Sequence, residues 1–200
     1  MRSTTVPDDP DHPARRWFQR WSLWPPVLEL PPWIRWVRAS RARRNQGVIG
    51  ALVTPAAPLE KWIRLAPDFP KRHIAGVHLI PIGPDGQSVL DRDPHDPLRK
   101  RFGTRAYGDL SDAVVVIGKL VRREDVVVCD GLAFGLALAC RRSEPVIVTS
   151  GAAGWSSLAT AVGLGHFAEV ILAPGASPSG REAADSLDRR VLAYGGRKRA

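Results

Sequence analysis

The stretch "EVILAPGASPSGREAADSLDRRVLAYGG", residues 169–196, decides the fold. It opens with a short continuous apolar run closed by a Pro-Gly turn, the pattern of a strand buried on both faces. It then enters an amphipathic helix at Gly180-Arg181, with Ala183, Ala184, Leu187 and Val191 on one face. In such strand–turn–helix units a ligand is usually held at the turn beyond the carboxyl end of the strand. Yet Gly175-Ala176-Ser177-Pro178-Ser179 contains no carboxylate, no His and no Lys. The turn has the shape of a site and lacks its chemistry.

Working outward, the same rhythm recurs twice upstream. "DVVVCDG" (125–131) is an apolar run ending in Asp-Gly, followed by the helical "LAFGLALAC" (132–140). "PVIVTSG" (145–151) is the next strand and "WSSLATAVGL" (155–164) the next helix, with Gly165 expected in the left-handed C-terminal position. Strand and helix alternating in this way predict an α/β fold, a parallel sheet of about four strands flanked by helices once "AVVVIG" (113–118) is added. The domain is expected to span 113–200. Ligands would meet it at Asp130-Gly131, Ser150-Gly151 and 175–179.

Residues 46–112 read as a β-hairpin-containing region. "GVIGALVT" (47–54) is a strand. "GVHLIPIGPDGQSVL" (76–90) is a hairpin, because Pro84-Asp85-Gly86 is turn chemistry between two alternating runs. The polar segment 91–105 ends in a basic cluster, Arg99, Lys100, Arg101 and Arg105. Residues 1–45 form a basic Trp/Pro/Arg-rich arm holding five of the seven tryptophans. Trp17, Trp21 and Trp24 share a helical face, and Arg35, Arg38, Arg41, Arg43 and Arg44 follow. Interleaved Arg and Trp suit stacking on bases and holding phosphates, or equally an arm packed on the main body, or a helix on a membrane surface.

The formal net charge of +9 favours an anionic partner such as nucleic acid. Cys129 and Cys140 sit in apolar segments and form no CxxC pair, which suits reduced core thiols and a cytoplasmic protein. No apolar run approaches the ~20 residues that span a bilayer, so no membrane partner is expected. The five His residues (12, 73, 78, 95 and 166) form no zinc-binding pattern. "TSGAAG" (149–154) does not match a serine-nucleophile elbow, and neither a phosphate-binding lysine loop nor a dinucleotide fingerprint is present.

Taken in order, "GVHLIPIGPDGQSVL", "RKRFGTRAYGD", "VVVCDGLAFGLALA", "PVIVTSGAAGWSSL" and "EVILAPGASPSGREAADSLDRRVLAYGGRKR" resemble successive elements of the Toprim domain. The variety resembled is that of primase-like proteins of phages, plasmids and other mobile elements. The resemblance covers most of residues 47–196. It implies a metal-binding α/β module in which an acid ending the first strand joins two aspartates ending the third. Asp130 stands at the first of these positions. Gly175 and Ser177 stand at the other two, and Ala133 replaces an acid in the first helix. Mg2+ takes several oxygen ligands and gives up its waters reluctantly, so Asp130 alone implies weak binding at best.

The resemblance therefore implies a catalytically degenerate, DNA primase-like protein acting with DNA or RNA, with a primase or helicase as partner, and no other cofactor. Its enzymatic status stays open, since missing acids could come from another chain. Phosphate contacts are expected from Arg99, Lys100, Arg101, Arg105, Gly180 and Arg181, the last two at a helix N-terminus. Asp130 also reads as a helix N-cap. "TSGAAG" is similar, too, to the start of the cofactor domain of thiamine-diphosphate enzymes, which leaves the hairpin and the "GREAADSL" helix unexplained. An α/β protein-interaction module that binds no nucleic acid is the alternative from another class.

Overall fold

The computed structural model describes residues 3–20, 30–66, 68–88, 105–149, 155, 157–158, 160–161, 165–173, 182 and 185, with 91–92, 100–101 and 105 by backbone alone. In chain order the elements are β1 (Ser3–Thr5), α1 (Pro13–Arg20), β2 (Arg35–Arg38), α2 (Arg41–Arg44), β3 (Gly50–Pro58), α3 (Leu59–Leu65) and β4 (Gly76–Ile82). There follow β5 (Asp91–Arg92), β6 (Lys100–Arg101), β7 (Arg105–Gly108), β8 (Ala113–Ile117), β9 (Val126–Asp130), α4 (Leu132–Ala139), β10 (Val146–Thr149) and β11 (Val170–Ala173). They divide into two compact units that interleave along the chain. One comprises Met1–Pro25, Pro32–Thr54 and Val77–Ala106; the other Pro26–Pro31, Pro55–Gly76 and Tyr107–Ala200.

In the first unit β1, β2 and the start of β3 form an antiparallel ladder, with Thr4 opposite Trp36 and Trp36 opposite Leu52. The Ile49 N–H donates to the Ile82 carbonyl at 2.9 Å, which sets β4 beside β3. The hairpin turn forms where its residues demand it. Gly83 donates to the Gln87 carbonyl at 2.9 Å, Gly86 adopts φ 76°, and Ile82 pairs with Ser88. Val89 and Leu90 lie outside the described residues. The turn packs on α1, where a Cβ on Gly86 would come within 2.6 Å of Arg16 Cβ. The Trp17 indole N–H donates to Ser88 Oγ at 2.8 Å. Trp17 and Trp36 are 2% and 8% exposed, so both belong to the core of this unit. Trp33 is half-buried, and Trp21 and Trp24 lie outside the described residues.

In the second unit the strand order is β3-β8-β10-β9-β11. β9, β10 and β11 are parallel, as the strand–helix rhythm predicts. β8 is antiparallel to β10 and to the end of β3, so the sheet is mixed rather than wholly parallel. Connection length explains the difference. A parallel crossover needs about a dozen residues and usually a helix, which 131–145 supply through α4. The segment 118–125 carries no helix. It returns the chain at the same end of the sheet, and β8 must run the other way. β8, β9 and β10 are buried almost throughout, matching their unbroken apolar runs. α4 covers them closely: a Cβ on Gly135 would fall 2.2 Å from Val148 Cγ2. Trp155, Ser157, Leu158, Thr160 and Ala161 are helical. Gly165 takes the left-handed φ of 65°, and the His166 N–H reaches back to the Ala161 carbonyl at 3.2 Å.

Candidate functional site at the strand ends

Parallel pairing in a common register brings the carboxyl ends of β9, β10 and β11 to one edge. Thr149 stands opposite Asp130, and Ala173 opposite Cys129. Asp130 is half-buried at the tip of the middle strand, between β10 and β11. The turn carrying Gly175 and Ser177 begins two residues after Ala173 and lies outside the described residues. The first and third strands of the parallel block, β9 and β11, lie side by side.

The residue expected to cap α4 is displaced by one. Asp130 stays in the ladder opposite Thr149, and the N-cap position falls to Gly131, with φ 83° and ψ 121° and no side-chain cap. A positive φ is readily available only to glycine. The chain therefore turns where the sequence has Gly, and Asp130 remains the last extended residue.

Thr149 is buried, and its hydroxyl donates to the Cys129 carbonyl at 3.2 Å, tying β10 to β9. Burial, seconded by the charge of Asp130, pushes the Cys129 thiol far above its ordinary range. A protonated thiol is neither a metal ligand nor a nucleophile. Cys140, also buried, is pushed up to about 12, chiefly by burial. Both cysteines are unpaired. Among the described residues no three His, Cys, Asp or Glu side chains cluster closely enough to hold a metal ion.

The basic residues singled out in the sequence fall elsewhere in the chain. Lys100 and Arg101 form β6, paired antiparallel with β5 so that Arg101 stands opposite Asp91 and Lys100 opposite Arg92. Arg105 opens β7. All three belong to the first unit, whereas Asp130 belongs to the second. Arg99, Ser150, Gly151, Gly180 and Arg181 lie outside the described residues; beyond Arg181, Glu182 and Asp185 are helical.

Sequence reasoning missed two concavities. One, in the first unit, has a volume of about 810 Å³ and is walled by His12, Trp36, Arg38 and Arg44. Its sequence signal is the alternation of "RWVR", which puts Trp36 and Arg38 on one face of β2. The other, in the second unit, measures about 790 Å³ and is lined by Ile63, Leu120, Val121 and Phe167 together with Glu60, Arg64, Arg122 and His166. No helix among the described residues is long and apolar enough to cross a membrane.

No protein-family model matches the chain, and no curated protein matches it. Among solved structures it is similar to the primase fragment of the bacteriophage T7 primase-helicase protein, with TM-score 0.47 and 16% identity over 83% of this chain. It is also similar to a chain in the structure of the bacteriophage T7 lagging-strand DNA polymerase interacting with primase domains of two gp4 subunits bound to an RNA/DNA hybrid and dTTP. There the TM-score is 0.39 at 20% identity over 72% of this chain. The chain spans 57% and 61% of the lengths of those two chains.

Proposed function

We propose that the second unit is a primase-type Toprim domain that has lost its divalent-ion site. The protein then works on nucleic acid through cationic contacts, in the replication or maintenance of a mobile element. The observation that supports this most directly is the register that sets Asp130 beside Thr149 and next to β11. Where the resemblance asks for two aspartates after that strand, the chain has Gly175 and Ser177. The residues present do not fit Mg2+. One carboxylate remains, the neighbouring Thr149 offers only a buried, neutral hydroxyl, and the adjacent thiol stays protonated. A hard, strongly hydrated cation is not held by one such ligand. No catalytic step is routed through a metal here, and the partner protein is a primase or a helicase.

The anionic partner is DNA or RNA. The charge of +9 and the cations Arg99, Lys100, Arg101, Arg105 and Arg181 support it. Phosphate contacts of this kind hold without sequence choice and weaken steeply with salt. The test is a fluorescence-anisotropy titration of labelled single-stranded and duplex DNA between about 50 and 200 mM salt. Micromolar binding at low salt that collapses at high salt, and is lost when Arg99, Lys100, Arg101 and Arg105 are replaced by Ala together, is the expected result. A wild-type protein that binds neither DNA at low salt overturns the reading. It would favour a protein-interaction module instead, which the apolar groove around Leu120, Val121 and Phe167 supports.

A further inference from the structure

We infer that the first unit carries a separate phosphate-binding pocket, built by His12, Trp36, Arg38 and Arg44, for the phosphate group of a nucleotide or of a nucleic-acid strand. The inference does not rest on the Toprim reading. It stands on the first unit alone.

The pocket is open, has a volume of about 810 Å³, and none of its lining residues is acidic. That volume lies in the range of small-ligand sites. Its floor is set by strand register. Thr4 on β1 stands opposite Trp36 on β2, and Arg38, two residues on, shares that face. Opposite Arg38, β3 has Gly50, and a Cβ there would fall 2.0 Å from the Trp36 ring. The missing side chain lets the indole lie down over β3. The His12 ring meets it edge-on, with ring centres 4.8 Å apart at 81°. The two rings line the pocket together with Arg38 and Arg44.

The cations come from two elements. Arg38 is exposed at the end of β2 and makes no ion pair among the described residues. Arg44 closes α2, whose cap is Ser40, the hydroxyl of which accepts the Arg43 N–H at 3.4 Å. One Arg44 guanidinium nitrogen donates to the Ala39 carbonyl at 3.0 Å. That bond orients the group and leaves most of its five N–H donors available. Guanidinium donors match phosphate oxygens in number and geometry. His12 adds a neutral donor. Its Nδ1 accepts the Ala14 N–H at 3.2 Å, so the uncharged ring carries its proton on Nε2. Two guanidinium groups and an imidazole N–H, with no carboxylate among them, suit a phosphate better than a cation or an apolar ligand.

The experiment titrates the full chain with three probes: inorganic pyrophosphate, a nucleoside triphosphate and a short labelled oligothymidylate, at low salt. The double variant R38A/R44A is expected to weaken binding at least about tenfold, as loss of charge-assisted hydrogen bonds does. The variant R41A, which removes an exposed α2 cation outside the pocket, is expected to stay within about twofold. Both variants change exposed residues, and equal unfolding midpoints show that they fold. Binding of the triphosphate assigns the phosphate to a free nucleotide, and binding of the strand alone assigns it to a polymer; either supports the site if it depends on Arg38 and Arg44. Wild type that binds none of the probes overturns it, and so does an R38A/R44A variant that binds like wild type. DNA binding that fails only when Arg99, Lys100, Arg101 and Arg105 are neutralised belongs to the proposed function and not to this pocket.

Discussion

Asp130 and Thr149 stand opposite each other at the carboxyl ends of two parallel strands, and the Thr149 hydroxyl ties the two together through the Cys129 carbonyl at 3.2 Å. On the proposed reading these strand ends are an ion site left with one carboxylate. If ligand loss is the whole difference, restoring ligands restores the ion. The double variant G175D/S177D is expected to raise Mg2+ affinity by at least about tenfold, ~1.4 kcal/mol, over wild type in calorimetry. Adding Asp130→Ala is expected to remove the gain. A double variant with no more affinity than wild type would show that the turn does not face Asp130.

Gly135 sets the distance between α4 and the sheet. A Cβ there would meet Val148 Cγ2 at 2.2 Å, and Val148 is buried and stiff at χ1. Although Ala is the better helix former, Gly135→Ala is expected to destabilise the second unit by about 1–3 kcal/mol through overpacking. Gly131→Ala makes a useful contrast. Its Cβ would meet nothing within 4 Å, yet φ 83° is unfavourable for it, also costing about 1–3 kcal/mol. Urea unfolding of the two variants measures this. A valine-to-alanine change at Val148 should rescue Gly135→Ala and leave Gly131→Ala as it is.

The bond from the Trp17 indole to Ser88 joins α1 to the hairpin turn. Ser88→Ala leaves a largely buried N–H without that partner and is expected to cost about 1–3 kcal/mol. Trp17→Phe removes the donor together with part of the packing of a residue 2% exposed. The double variant should therefore lose less than the two single losses added, since both remove one bond. Strict additivity in denaturant unfolding would contradict the contact.

His78 is buried, and burial holds its imidazole below the ordinary value of 6.5. His12 is shifted in the same direction, chiefly by burial. Below pH 6.5 the unfolded chain then takes up protons that the folded chain refuses. Stability from these groups is complete above 6.5 and declines as the pH falls below it. Unfolding midpoints measured at about pH 7.5 and 5.5 are expected to drop at the lower pH, and His78→Gln to reduce the drop. A midpoint that rises on acidification would reverse the sign and refute the assignment.

Much of the second unit was legible in residues taken one segment at a time. The unbroken runs at 126–130, 146–149 and 170–173 are strands because no face of them is polar. "LAFGLALA" is a helix, and Gly165 takes the left-handed conformation. The turn at 83–87 follows from Pro, Asp and Gly in that order. The candidate site was legible only as a composition: Asp130 present, Gly175 and Ser177 where carboxylates would be. The cap at Gly131 rather than Asp130 was harder to see, because a residue can read as a cap or as a strand end, and only its pairing with Thr149 decides.

By itself the sequence determined the period of each element, the positions of its turns, its excess of positive charge, and the carboxylates it does not contain. These are properties of neighbours in the chain, set by side-chain type and backbone preference over a few residues. The tertiary structure alone decided that β10 lies between β8 and β9, that β8 runs against them, that Trp17 and Trp36 are core residues, and that Trp36 lies over Gly50 beside Arg38. Each of these joins residues distant in sequence, and which distant surfaces meet is settled by the packing of the whole unit rather than by any stretch of it.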